Sequence, residues 1–206
     1  MIKKYVIILL CILLLTGCNV YYIDNKNIEE IIDLSINVDS KLSNINNKGY
    51  RYYLPVDFEV FEDGDYNQIL LSKSNKYYMY LDIVSYYYGN NNIEDREEDD
   101  YAYYSFEHND KKGYVKIKEI DNKYWIEISY NYAIIEVNVE GKDVNYALTQ
   151  SIIILSSVSY NDLVIKKYIG ENDIESSETI YKIPSPEKKS NQNVLEHIDK
   201  NENSSK

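Results

Sequence analysis

Apolar and polar positions along the chain change their rhythm three times. Lys3 and Lys4 precede an unbroken apolar run from Val6 to Leu15. A membrane-spanning helix needs about 20 apolar residues, so this run reads as the core of a signal peptide. Ile28, Ile31, Ile32, Val38, Leu42 and Ile45 then recur near helical spacing and predict a helix over 26–46, stopped by Asn46, Asn47 and Gly49. From Tyr50 the period falls to two. Strands are expected over 50–54, 56–61, 69–72 and 76–88, the first two separated by Pro55. In 76–88, Tyr77, Met79, Leu81 and Ile83 share one face, opposite Tyr78, Tyr80 and Asp82.

Residues 94–100 form an acidic loop, and Tyr101–His108 fits either a strand or a short helix. Lys111, Lys112 and Gly113 look like a turn. Val115 and Ile117 alternate with Lys116 and Lys118, a strand with one wet face. Asp121-Asn122-Lys123 marks a hairpin. Tyr124, Ile126, Ile128 and Tyr130 then oppose Trp125, Glu127 and Ser129. After Asn131 the parity slips to Ala133, Ile135, Val137 and Val139, which suggests a bulge or bend. Val144, Leu148, Ile152 and Leu155 predict a second helix over about 143–156, and 156–160 and 163–169 suggest terminal strands.

Strands joined by short turns pair antiparallel. The expected class is therefore α+β: an antiparallel β-sheet packed by an N-terminal helix and by a second helix near 143–156. The expected organisation is a leader over 1–17, a tether over 18–25, a single domain over 26–170, and a polar tail over 171–206 rich in Glu, Asn, Ser and Lys.

Leu15-Thr16-Gly17-Cys18 follows the basic start and the apolar run, and it resembles a bacterial lipobox. The resemblance implies a diacylglyceryl group on the Cys18 sulfur, cleavage between Gly17 and Cys18, and a lipid-anchored protein on the outer side of the cell membrane. A thiolate is the nucleophile such an alkyl transfer needs. One acyl chain gives marginal membrane binding, whereas two hold a protein stably. Cys11, the other cysteine, lies within the leader, so the mature chain has no disulfide. The stretch from Tyr52-Tyr53-Leu54-Pro55 to Ser157-Val158-Ser159-Tyr160, with Tyr130-Asn131-Tyr132 before an apolar strand and helix, resembles small PsbP-like α+β domains, some of which occur in bacterial lipoproteins. That likeness implies an adaptor or accessory role and assigns no functional residue.

Composition narrows the chemistry. The net charge of -12 argues against nucleic acid and against a polybasic grip on anionic lipid. The bilayer is met through acylated Cys18, and the expected partner is an envelope protein or a glycan. No cofactor or metal is expected. His108 and His197 fall in no metal-binding pattern, no Gly-x-Ser-x-Gly elbow is present, and the glycines are isolated. A calcium loop starting at Asp63 would need Gly and Glu where Gln68 and Ser74 stand. The acidic loop reads as a solvated charge run, with a weak divalent site as the alternative.

Two features remain. Tyrosine supplies 24 residues against 3 phenylalanines, a bias that an AT-rich genome would also produce. Tyr78, Tyr80, Tyr86 and Tyr88 share one strand parity and form a candidate stacking face, joined by Trp125 and Glu127. Glu127, with Glu136, is also a candidate carboxylate pair for glycan hydrolysis. The expected function is a non-enzymatic binding or accessory module of the envelope. The rivals are a glycan hydrolase and an immunity or surface-interaction lipoprotein.

Overall fold

The computed structural model describes residues 25–37, 42–91 and 93–171. Gly17, Cys18, the tether up to residue 24, His197 and the tail beyond 171 lie outside them. Helix α1 (Asn25–Ile36) leads to a short hairpin of β1 (Ile45–Asn47) and β2 (Tyr50–Tyr52). Then come β3 (Glu59–Asp63), β4 (Asn67–Ser72), β5 (Asn75–Leu81) and helix α2 (Ile83–Tyr88). A second run of strands follows: β6 (Ala102–His108), β7 (Lys111–Ile120), β8 (Lys123–Tyr130) and β9 (Ala133–Val139). A 3-10 turn (Gly141–Asp143) opens into α3 (Val144–Ser156), before β10 (Ser159–Tyr160) and α4 (Asp162–Glu171).

The class is α+β. A seven-stranded antiparallel sheet has the order β3-β4-β5-β9-β8-β7-β6, and a three-stranded sheet has the order β1-β2-β10. Val115, Ile117, Ile126, Ile128, Ile135 and Val137 line one face of the large sheet and are buried. Helix α3 packs on β8 and β9, and α1 packs against α3 and β6. With neighbours on two sides, α3 buries both flanks, with Val144, Leu148, Ile152 and Leu155 among the buried set. On α1, Ile28, Ile32 and Ile36 recur at i, i+4 and i+8 and are buried.

Several expectations are corrected. The N-terminal helix does not run over 26–46. It ends at Ile36, Asn37 donates its side-chain amide to the Asp33 carbonyl at 2.9 Å, and Leu42 is 92% exposed. Ile45 belongs instead to β1, which turns into β2 through Lys48-Gly49, where Gly49 has φ 89. Its conformation is one that a side chain disfavours. The strand expected over 56–61 begins only at Glu59, because Pro55 accepts the Phe58 N–H in a turn.

The strand over 76–88 stops at Leu81. There Asp82 caps α2 by accepting the Ser85 N–H at 2.8 Å, and Gly89 closes it in the left-handed conformation. Tyr101–His108 resolves as the strand β6. The segment 163–169 is helical rather than extended: Ile165 and Ile169 are buried at i, i+4, so the apparent alternation was a helix face. Lys111, Lys112 and Gly113 lie in β7, and the turn before them is Asn109-Asp110.

The parity slip at Asn131 is neither a bulge nor a bend but a hairpin turn. Asn131 and Tyr132 have φ 54 and 60, and Tyr130 pairs with Ala133. The same two-residue left-handed geometry joins β4 to β5 at Lys73-Ser74, β6 to β7 at Asn109-Asp110, and β7 to β8 at Asp121-Asn122. Such turns match the twist of the flanking strands and usually carry glycine. These four carry none.

Candidate functional site

Strand alternation sends every second side chain to the sheet face turned away from α1 and α3. Register places Tyr103 opposite Lys116, Lys116 opposite Glu127, Glu127 opposite Glu136, Glu136 opposite Tyr78, and Tyr78 opposite Ile69. One row of side chains thus crosses six strands. Trp125 and Tyr114 flank it on neighbouring rows of the same face, and Tyr80, 44% exposed, extends it toward Asn67.

The polar centre of this row is tightly held. Tyr114 donates its hydroxyl to the Glu127 carboxylate, and Glu127 is only 8% exposed. Lys116, 2% exposed, reaches Glu94 at 2.6 Å, Glu97 at 3.4 Å and Glu127 at 4.0 Å. Lys118 reaches Glu97 at 2.7 Å and Asp99 at 3.4 Å. Tyr103 donates its hydroxyl to the Glu94 carbonyl at 2.7 Å. The acidic loop is solvent-exposed over 94–99, as expected of a charge run, but it is not free. Two lysines of β7 clip it across part of the sheet face. Among the described residues no group of three or more His, Cys, Asp or Glu is arranged to hold a metal ion.

The electrostatics follow from crowding acids around two lysines. Burial raises the Glu127 pKa, while the Tyr114 hydrogen bond and the Lys116 charge oppose the rise. Glu136 is pushed up to about 7, first by burial and then by the charge of Glu127 facing it. The Trp125 indole works against that rise, although its Nε1 lacks a well-aligned acceptor. For Lys116, burial favours the neutral form, but the hydrogen bond to Glu94 and the charge of Glu127 outweigh it and raise its pKa. The site brings together a lysine whose charged form is favoured, a carboxyl group bonded by Tyr114, and a second carboxyl group pushed up to about 7.

The expected tyrosine face is divided. Tyr78, Tyr80, Trp125 and Glu127 share the outer sheet face, whereas Tyr86 and Tyr88 do not, because they lie on α2. Tyr86 stacks on Tyr160 with centroids 4.1 Å apart, meets Tyr132 edge-on at 5.4 Å, and donates to Asp162 at 2.5 Å, so it ties α2 to β10 and α4. Tyr88 is exposed beside Tyr87. Sequence reasoning did not place Tyr114, Lys116 or Glu94 in this site. The alternation of Val115 and Ile117 already put Tyr114 and Lys116 on one face, but only register reveals what they meet.

No protein-family model, curated protein or solved structure matches the chain. The functional reading rests on the geometry of its own residues.

Proposed function

We propose that the chain is a lipid-anchored, extracytoplasmic binding or accessory module of the cell envelope, with the outer sheet face as its recognition surface. The anchor rests on the lipobox residues ending at Cys18. The recognition surface rests on one observation: the row from Lys116 through Glu127 and Glu136 to Tyr78 sets aromatic rings beside carboxyl groups on the face opposite the one on which, among the described residues, α1 and α3 pack. Rings beside acids suit sugars, which stack on aromatic faces and hydrogen-bond to carboxyl oxygens.

Trp125, the sole tryptophan, is a built-in reporter for this face. Titrating the full-length acylated protein with soluble peptidoglycan fragments should change its emission, and Glu136→Gln combined with Tyr78→Ser should abolish the change. An unchanged emission would remove this face from consideration. The anchor has its own test. Cys18→Ala should lose labelling by radioactive fatty acid and leave the membrane fraction or stay unprocessed, and full retention with normal processing counts against lipidation.

A second reading, glycan hydrolysis, is favoured by the facing carboxyl pair, one member of which has the raised pKa a general acid needs. Against it, Glu127 is held by Tyr114 and nearly buried, which leaves little room for a sugar carbon or a water to approach. The same titration separates the two. New reducing ends in the wild-type sample, absent in Glu136→Gln, mean turnover.

A further inference from the structure

A concavity lies on the other side of the sheet. A cavity of about 660 Å³ opens where the ends of α1 and α3 meet β2 and the β6–β7 hairpin. That volume is in the range of small-molecule sites. Its apolar floor includes Ile36, Tyr130 and Ile153, and Ser43 and Asn46 add polar groups.

The charge of its lining is inverted relative to the rest of the molecule. Acids outnumber lysines and arginines in the chain by 34 to 22. Yet the described residues around this cavity include Arg51, His108 and Lys111 and no carboxylate. Lys111 and His108 are cross-strand partners at the tip of the hairpin, so they project together from the core face. The Tyr130 hydroxyl donates to the His108 carbonyl at 2.9 Å and fixes the backbone there.

Lys111 is the group that calls for an explanation. It is half-buried, and burial alone shifts its pKa, downward. Among the described residues, ion pairs engage Lys116, Lys118 and Lys142, while Lys111 and Arg51 have none. A half-buried ammonium without a counter-charge is costly, and a ligand anion removes that cost. Arg51 adds a planar fork that suits phosphate or carboxylate oxygens.

We propose that this cavity binds a small organic anion, a phosphate or carboxylate carried on a partly apolar body, with Lys111 and Arg51 as its charge partners. The apolar floor takes the body, and the basic rim takes the anionic group. The site is independent of the outer sheet face and does not rest on the function proposed for that face.

Pyridoxal 5′-phosphate is a suitable probe, because it presents a phosphate and an aldehyde that condenses with a neutral lysine amine, releasing water. The full-length protein in detergent micelles would be treated with it, reduced with borohydride and mapped by peptide mass spectrometry. Lys111 should label at least tenfold faster than the adjacent exposed Lys112. A depressed pKa alone would also speed labelling, so protection is the deciding arm. Millimolar inorganic phosphate or citrate should slow Lys111 labelling at least fivefold and leave Lys112 unchanged, and Arg51→Met should weaken that protection. Protection by phosphate alone identifies a phosphate site, and protection by citrate alone a carboxylate site. Equal labelling of the two lysines, or no protection by either anion, would overturn the proposal.

Discussion

Glu127 and Glu136 face each other directly across β8 and β9, and only one of them has a lysine within ion-pair distance. Two acids in one cross-strand pair repel when both are ionised. Tyr114 and Lys116 favour the charged form of Glu127, against the burial that raises its pKa. Burial first, and the Glu127 charge second, raise the pKa of Glu136.

The sign of the pH dependence follows. Glu136 has an ordinary value of 4.5 and is raised to about 7 in the fold, so the native state holds its proton more tightly than the unfolded chain. Its contribution favours folding at low pH and is lost as pH rises from 4.5 toward 7. Glu136→Gln should therefore melt like the parent below pH 5 and be more stable than it at pH 8. The expected gap is about 2 kcal/mol, reduced from the full shift because the group is only half-buried. Thermal melts across this range, parent against variant, measure it.

Lys116→Met removes the cation that Glu94, Glu97 and Glu127 share. Glu94 and Glu97 are exposed, so the cost is set by the buried Lys116–Glu127 pair alone, about 2 kcal/mol. Beyond that loss in urea denaturation, the acidic loop should detach. Arg96 lies in that loop and is exposed, so trypsin should cut after it faster in the variant than in the parent.

Gly113 lies beneath two aromatic rings. Phe106 and Tyr130, its partners on either side, stack over it with centroids 5.5 Å apart. A Cβ there would meet the Ser129 carbonyl at 2.5 Å and the Phe106 ring at 2.7 Å. Gly113→Ala should cost about 2 kcal/mol through overpacking, read from the urea midpoint at unchanged slope.

Ser74 sits at φ 66 in the exposed Lys73-Ser74 turn. The left-handed conformation costs a non-glycine residue about 1–2 kcal/mol, and glycine returns part of that gain as extra freedom in the unfolded chain. Ser74→Gly should stabilise the protein by about 0.5 kcal/mol, seen as a small rise in melting temperature.

Most of the fold class was legible because burial imposes a period. The helix near 143–156 and the alternation of Val115, Ile117, Ile126 and Ile128 needed only local pattern. What failed was local in another way. Hairpin turns without glycine hid the breaks at Asn109-Asp110 and Asn131-Tyr132, and a run of apolar and tyrosine residues hid the change from β5 to α2 at Asp82. Of the site, Glu127, Glu136, Trp125, Tyr78 and Tyr80 were named from the sequence. Their assembly was not legible, because it depends on the register of strands far apart in the chain and on lysines reaching a loop some twenty residues earlier.

The pairing of β5 with β9 is the single ladder that joins β3-β4-β5 to β6-β7-β8-β9. Tyr78 and Glu136 stand on opposite sides of that seam. Each ribbon can zip by itself through short hairpins, yet neither alone carries a complete contact surface. Any molecule that grips both residues acts as a staple, and by mass action it makes this junction of the sheet harder to pull apart.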